Sequence, residues 1–360
     1  MNLTPTTQME ANHKQRNCET DQTTGSVARK GSVIVMNQNR KIQNRMLFVV
    51  AIAAVLLFNG QLTAHAEETT NTAPAKATPS EKGPPLPLHQ IEGNGGIFST
   101  LSAYLVNPPR DGEPVGRPSV GFAYVNIGHG QNLQALTLTE TPWKRLELGY
   151  GWDRLGLGDL PQAIQNATTV NINPKEVQLH NFNARLQLLK EGEFDQKWIP
   201  ALTFGAHFKY NDGIRQIDND LGGALTSAGI AHDVGEDFTL YASKLFTQLP
   251  RPVLVELGGR ATTGVWNGLG GFTSRYDFLF EGNVVVFVTG NFALAAEYRQ
   301  QPNEYKPIGS LVQAEGDWWT LDAAYVVNNH LTLAAGYGHF GKVLNHEANG
   351  VWGVTTKWEF

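Results

Sequence analysis

Cysteine is almost missing from this sequence: Cys18 is the only one in 360 residues. Export that removes the N-terminal region leaves none, so the mature chain has no disulfide framework and no thiol catalysis. A long hydrophobic run is missing too. The longest, MLFVVAIAAVLLF at 46–58, has about 13 apolar residues, short of the ~20 that a spanning helix needs. No stretch keeps a 3.6-residue apolar period. Clustered positive charge is also absent. Residues 1–45 hold seven Lys/Arg and three Asp/Glu; taking these from totals of 28 and 33 leaves about 21 basic against 30 acidic side chains, a net charge near −9. A nucleic-acid partner is excluded by that sign.

Around the apolar run the order is diagnostic. Arg40, Lys41 and Arg45 precede it, and Ala64-His65-Ala66 follows it ahead of Glu67. This describes a signal peptide for export into a Gram-negative envelope, with Ala64 and Ala66 forming the cleavage site. Residues 1–35 make the leader too long, whereas MNQNRKIQNRMLFVV has ordinary proportions, which places the true start at Met36. Residues 1–66 are therefore read as extension and signal peptide. Residues 67–93 are rich in Pro, Thr and Ala and read as a semi-extended linker. The folded part is expected over 94–360. Its opening Gly93-Asn94-Gly95-Gly96 is no phosphate loop, since neither a helix nor a Lys follows.

What the sequence has in quantity is alternation. In KRLELGYGWD, Leu146, Leu148, Tyr150 and Trp152 share one face and Arg145, Glu147 and Asp153 the other. ALTFGAHFKY, NFALAAEYRQ and WTLDAAYVV repeat the theme, and so does the terminal VWGVTTKWEF. Weaker candidates are 98–106, 118–127, 131–139, 177–188, 223–233, 237–246, 252–261, 275–288 and 330–339, making 14 segments in all. A period of two means half-buried strands, so the fold is all-β.

Charges on the polar faces and aromatics near strand ends favour a transmembrane antiparallel up-and-down β-barrel of about 12–14 strands over a soluble sandwich. Counting back from a periplasmic carboxyl terminus puts 340–350 and 301–317 outside the cell. It also puts the long loop 154–176 on the short-turn side, so one boundary in this reading is misplaced. In a closed barrel the last strand pairs with the first, which accounts for an aromatic terminus: Trp358 and Phe360 are read as an assembly signal for the barrel-assembly machinery.

The stretches GIFSTLSAYLVNPP, GRPSVGFAYVNIG, WKRLELGYGWDRLGLGDLP and LAAEYRQQPNEY resemble an uncharacterised bacterial outer-membrane β-barrel family, a domain of unknown function. The resemblance covers most of 94–360. It implies an outer-membrane barrel and brings no ligand or catalytic residue.

Lumen-facing candidates are Arg145, Glu147, Asp153, Arg185, His207, Lys209, Glu297, Arg299 and Asp322. Their mixed signs give no strong ion preference. His180 falls on the lipid side. His339 and His346 flank a late loop with Glu347, but that loop has no serine nucleophile. Asp153 and Asp159 match no calcium-loop spacing. No metal and no cofactor is expected. The reading is a passive pore for small solutes, with outer-membrane lipid as its surroundings. A structural or ligand-binding barrel with a plugged lumen is the alternative, and a rim-site hydrolase ranks third.

Overall fold

Twelve strands pair antiparallel with their sequence neighbours, and the last pairs with the first. The computed structural model describes residues 87–308 and 311–360. The wall is built from β3 (Ser119–Gly128), β4 (Gln131–Trp143), β5 (Leu146–Leu157), β6 (Glu176–Leu189), β7 (Ala201–Asp212), β8 (Val234–Phe246), β9 (Val253–Gly264), β10 (Phe272–Phe287), β11 (Phe292–Arg299), β12 (Trp318–Val326), β13 (Leu331–His339) and β16 (Val351–Glu359). β16 closes on β3, with Trp352 opposite Asn126 and Glu359 opposite Ser119. Closure leaves no edge strand, which hydrocarbon requires because it cannot hydrogen-bond a free backbone group.

The faces are inverted relative to a soluble sheet. Along β7, Thr203, His207 and Lys209 are buried, while Phe204, Phe208 and Tyr210 are exposed. Leu138, Leu148, Phe182, Leu186, Leu240, Leu257, Leu321 and Val354 are likewise exposed. Each such side chain left in water forgoes roughly 1.5–3 kcal/mol of burial. A belt of them around the whole barrel is stable only in lipid, with the polar residues turned inward.

Two of the fourteen expected strands are not strands. Segment 223–233 follows a short helix, Ile214–Asp220, and begins with another, Ala224–Ser227. The left-handed Gly222 and Gly223 and the Asp218 carboxylate, which accepts the Leu225 and Thr226 N–H groups, cap the second helix. Removing that strand restores the up-down parity. The connections 129–130, 158–175, 213–233, 265–271, 300–317 and 340–350 all fall at one end, where most are long, and 144–145, 190–200, 247–252, 288–291 and 327–330 at the other, where most are short. A third short helix, Leu160–Thr168, lies in the first of the long loops. The fifth carries the small hairpin of β14 (Lys342–Val343) and β15 (His346–Glu347).

Segment 98–106 is the second correction, and it changes the interior. Residues 88–106 lie inside the barrel, led by a hairpin of β1 (Leu88–Gln90) and β2 (Asn94–Gly96). The wall therefore starts at Ser119, not at 94, and residues 88–93 are not a free linker. Alternation misled because a peptide packed on all sides inside a lumen buries apolar and polar residues as a strand does. At the long-loop end the barrel is covered by apolar side chains: Trp266 stacks on Tyr305 at 4.7 Å and Trp318 on Phe340 at 4.5 Å. Phe272, Ile214, Ile230 and Leu269 are buried with them.

Phe360 and Trp358 point outward, 58% and 42% exposed, and the Phe360 N–H bonds to the Pro118 carbonyl at 3.2 Å. A charge here meets the lipid interface. Phe360→Asp is expected to cut the amount of heat-modifiable inserted barrel severalfold; unchanged insertion would remove the assembly role.

Candidate functional site

The barrel interior is shaped for the segment it holds. On the inner face of β5, glycine stands at 149 and 151. A Cβ at Gly149 would lie 2.0 Å from the Gly93 carbonyl oxygen, and one at Gly151 would lie 2.8 Å from that of Glu92. The hairpin backbone therefore lies flat against a groove that any larger residue would fill. Its turn needs Gly93 at a φ of 81°. Thr139 donates to the Gly93 carbonyl at 2.9 Å, and the amides of Asn181 and Asn183 donate to that of Glu92 at 2.9 and 3.0 Å.

Wall carboxylates bind the plug's N–H groups. Glu147 accepts from Gly95 at 3.2 Å and Val106 at 2.7 Å, and pairs with Arg185 at 3.0 Å. Glu297 accepts from Phe98, Ser99 and Thr100 at 2.7–3.2 Å. Glu256 accepts from the hydroxyls of Ser102 and Ser243. The guanidinium groups bind carbonyls: Arg185 to Gly95 at 2.7 Å and Arg299 to Ser99 at 3.0 Å. Near the other terminus of the hairpin, His89 contacts Thr137 and Ser119 at 2.8 and 2.6 Å, and Lys357 holds the Pro87 carbonyl at 2.6 Å. Protein groups replace water at these peptide groups, as their burial demands, whereas the Asn94 side chain and the Ser99 hydroxyl find no partner among the described residues.

The hairpin tip inserts Glu92 among Lys209 (2.5 Å) and Arg260 (2.8 Å), which also hold Asp237, each at 2.6 Å. Arg260 and Arg299 share Glu281 at 2.6 and 3.2 Å. From above, loop 265–271 dips inward and its Asn267 carbonyl accepts from Lys209 at 3.0 Å. Plug and loop thus meet at one charge cluster.

Glu147, Asp153, Arg185, His207, Lys209, Glu297, Arg299 and Asp322 are all buried and face the interior. Asp322 accepts from Thr320 at 2.7 Å, and His207 lies 3.5 Å from the Asn181 amide. Both oxygens of Asp153 are buried without a partner among the described residues. Arg145 is corrected. It lies in the turn ahead of β5, where the β4–β5 register shifts, and donates to the Leu188 carbonyl and to Glu193 at the rim. Ala64 and Ala66 lie outside the described residues.

Sequence reasoning missed Glu92, placed in a linker, and the inward residues Asp237, Glu256, Arg260, Glu281 and Lys357. Parity carried through β8, β9, β10 and β16 marks all but Glu92. His180 faces outward and contacts the Tyr150 hydroxyl at 2.8 Å.

In the loops, His346 pairs with Asp159 at 2.8 Å and stacks on His129 at 3.7 Å. The hydrogen bond from Asn345, joined by His346, holds the Asp159 carboxyl below its usual range. Glu315, His339, Lys342 and Glu347 line a cleft of about 230 Å³. Burial there pushes the Glu315 carboxyl up to about 7 despite N–H bonds from Tyr305. His232 contacts Ser274 at 3.0 Å, but both oxygens of the adjoining Asp233 accept from one edge of the Arg215 guanidinium.

Fold and interior define a transmembrane antiparallel barrel, of the type found in outer membranes, with its lumen filled by its own N-terminal segment. The chain belongs to the family described as protein of unknown function (DUF3034), which matches residues 89–355 and so spans plug and wall together. No curated protein matches the sequence. In three dimensions the chain is similar to the KdgM porin, with 8% identity and a TM-score of 0.40 over 67% of this chain and 99% of that one. It is also similar to an outer membrane channel from Pseudomonas putida F1, with 13% identity and a TM-score of 0.41 over 69% and 96%. The outer membrane phospholipase of Salmonella typhi is similar at 10% identity and a TM-score of 0.33 over 68% and 91%. Similarity at this level carries no argument about activity.

Gly149→Val forces its side chain into the Gly93 carbonyl. Overpacking of this kind costs about 1–3 kcal/mol. The expected outcome is a lower heat-modification temperature with protease cleavage opened within 88–106. Gly259→Ala, whose added Cβ meets nothing nearer than 3.8 Å, should change neither.

Proposed function

We propose that the protein is an outer-membrane channel for small solutes, held shut by residues 88–106. The observation that carries this reading is the chemistry of the occupied lumen. A barrel meant only as a scaffold would be as stable, or more so, with apolar residues inside, because buried ion pairs barely recover their desolvation cost. Here the wall presents Glu147, Arg185, Lys209, Asp237, Arg260, Glu281, Glu297 and Arg299, all buried. Such a wall rehydrates once the plug withdraws, and a barrel of ~12 strands is then wide enough for water and small solutes. The plug enters at the short-turn end, where Lys357 holds the Pro87 carbonyl and His89 contacts Ser119, the first residue of β3; in outer-membrane barrels short turns face the periplasm.

The apolar cover over the long-loop end favours a second reading: a permanently filled barrel whose loops do the recognising. At the rim His232 contacts Ser274, but the adjoining Asp233 is held by Arg215, so no reaction is assigned.

Planar bilayers separate the two. The full chain is expected to be silent or to open rarely, and a variant lacking 88–106 to give discrete, lasting conductance steps. Frequent steady openings of the full chain would show that the plug does not close it. Silence of a correctly folded plugless barrel would leave the filled-barrel reading.

A further inference from the structure

We propose that Lys209 and Arg260, in a charge belt that ends on Arg299, form a carboxylate-binding site in the lumen wall, which Glu92 of the plug occupies and which takes a small organic monocarboxylate when the plug withdraws. The second half rests on the channel reading; the first half stands on geometry alone.

Five adjacent strands contribute one charge each: Lys209 from β7, Asp237 from β8, Arg260 from β9, Glu281 from β10 and Arg299 from β11. Signs alternate along the belt, and each neighbouring pair is in contact: 2.6 Å, 2.6 Å, 2.6 Å and 3.2 Å in order. The belt begins and ends on a cation. Three positive groups face two negative ones in contact, and Asp153, the buried carboxylate on β5, hydrogen-bonds to none of them, so the belt has room for one further carboxylate in contact. Glu92 supplies it. One carboxylate oxygen lies 2.5 Å from Lys209 and 3.1 Å from one Arg260 nitrogen, and the other lies 2.8 Å from the second Arg260 nitrogen. That fork is the two-point match of a guanidinium to a planar carboxylate, which a halide cannot reproduce.

The anion is not part of the wall. It arrives on the tip of a hairpin from a segment outside the barrel strands, so withdrawal of the plug takes it away. Lys209, Arg260 and Glu92 are fully buried, and a vacated belt would hold an uncompensated charge. Propionate is the same functional group on the three carbons that the side chain has beyond its Cα, and acetate is one carbon shorter. A solute of this class therefore competes with Glu92 for the belt, and its presence favours the open form.

The test is chemical rescue of Glu92→Ala in the full chain, read as the temperature of heat modification. Its midpoint should fall below that of the native chain. Sodium acetate or propionate near 0.1 M should raise it by roughly 3–5 °C if binding is about tenfold saturated. Equal sodium chloride and neutral acetamide should not, and the native chain, already occupied, should not respond. Glu92→Ala combined with Arg260→Gln should lose the response. A folded Glu92→Ala protein indifferent to acetate, or equally responsive to chloride, overturns the site. If Glu92→Ala does not fold unaided, refolding yield is the readout: recovery in acetate but not chloride supports the site, and equal yields overturn it. None of these readouts needs conductance. Rescue beside a silent plugless barrel keeps the site and removes the channel, and conductance without rescue does the reverse.

Discussion

A charge taken out of water must meet its opposite. Inside this barrel that requirement falls on Glu92, which reaches Lys209 and Arg260 while loop 265–271 closes over them through the Asn267 carbonyl. Breaking a buried pair by losing one partner costs about 3–5 kcal/mol. The plug is therefore a partner that the wall needs, and the wall is shaped to receive it. Glycines 149 and 151 give its backbone room, and Glu147, Glu297 and Arg185 pair with its peptide groups. The same demand acts outside the barrel in reverse. Lipid accepts the exposed Phe182, Phe208 and Leu240 and refuses polar backbone, so the sheet has to close between β16 and β3.

The wall was readable because two solvents lie on its two sides. Lipid outside and polar contacts inside impose a period of two, and faces assigned from that period, such as Phe292 and Leu294 against Glu297 and Arg299, follow directly. The plug was not readable as a plug, because the alternation of 98–106 is also that of a wall strand and its partners lie far off in the sequence. Its backbone bonds go to Glu297, Glu147 and Arg185, partners 41 to 199 residues away. The composition of Gly93-Asn94-Gly95-Gly96 looks the same in a loose connection and in a hairpin pressed on a wall. Segment 223–233 failed for a nearer reason: Asp218 caps the helix there, a local bond that competes with strand pairing.

Closure at two ends gives the molecule two separate stabilities. At the long-loop end, Trp266, Tyr305, Trp318 and Phe340 make an apolar cover that depends on packing. The plug depends on ion pairs and peptide hydrogen bonds, which water can replace, and on Ile97, Phe98, Leu101 and Tyr104, which are buried in the core. Exchange of the plug with solvent therefore exposes those apolar side chains along with the polar wall, and that cost holds it in place. Transport through such a barrel would be set by that exchange.

The central claim is that residues 88–106 occupy the lumen of the inserted protein. Ser102 and Ser243 hydrogen-bond the same Glu256 oxygen from plug and wall, at 2.5 and 2.7 Å. The chain has no cysteine but Cys18. A Ser102→Cys, Ser243→Cys double variant in native membranes, treated with a mild oxidant, should form an intramolecular disulfide in nearly every molecule and resist a hydrophilic maleimide before oxidation. Two thiols that label freely and never join would contradict the account.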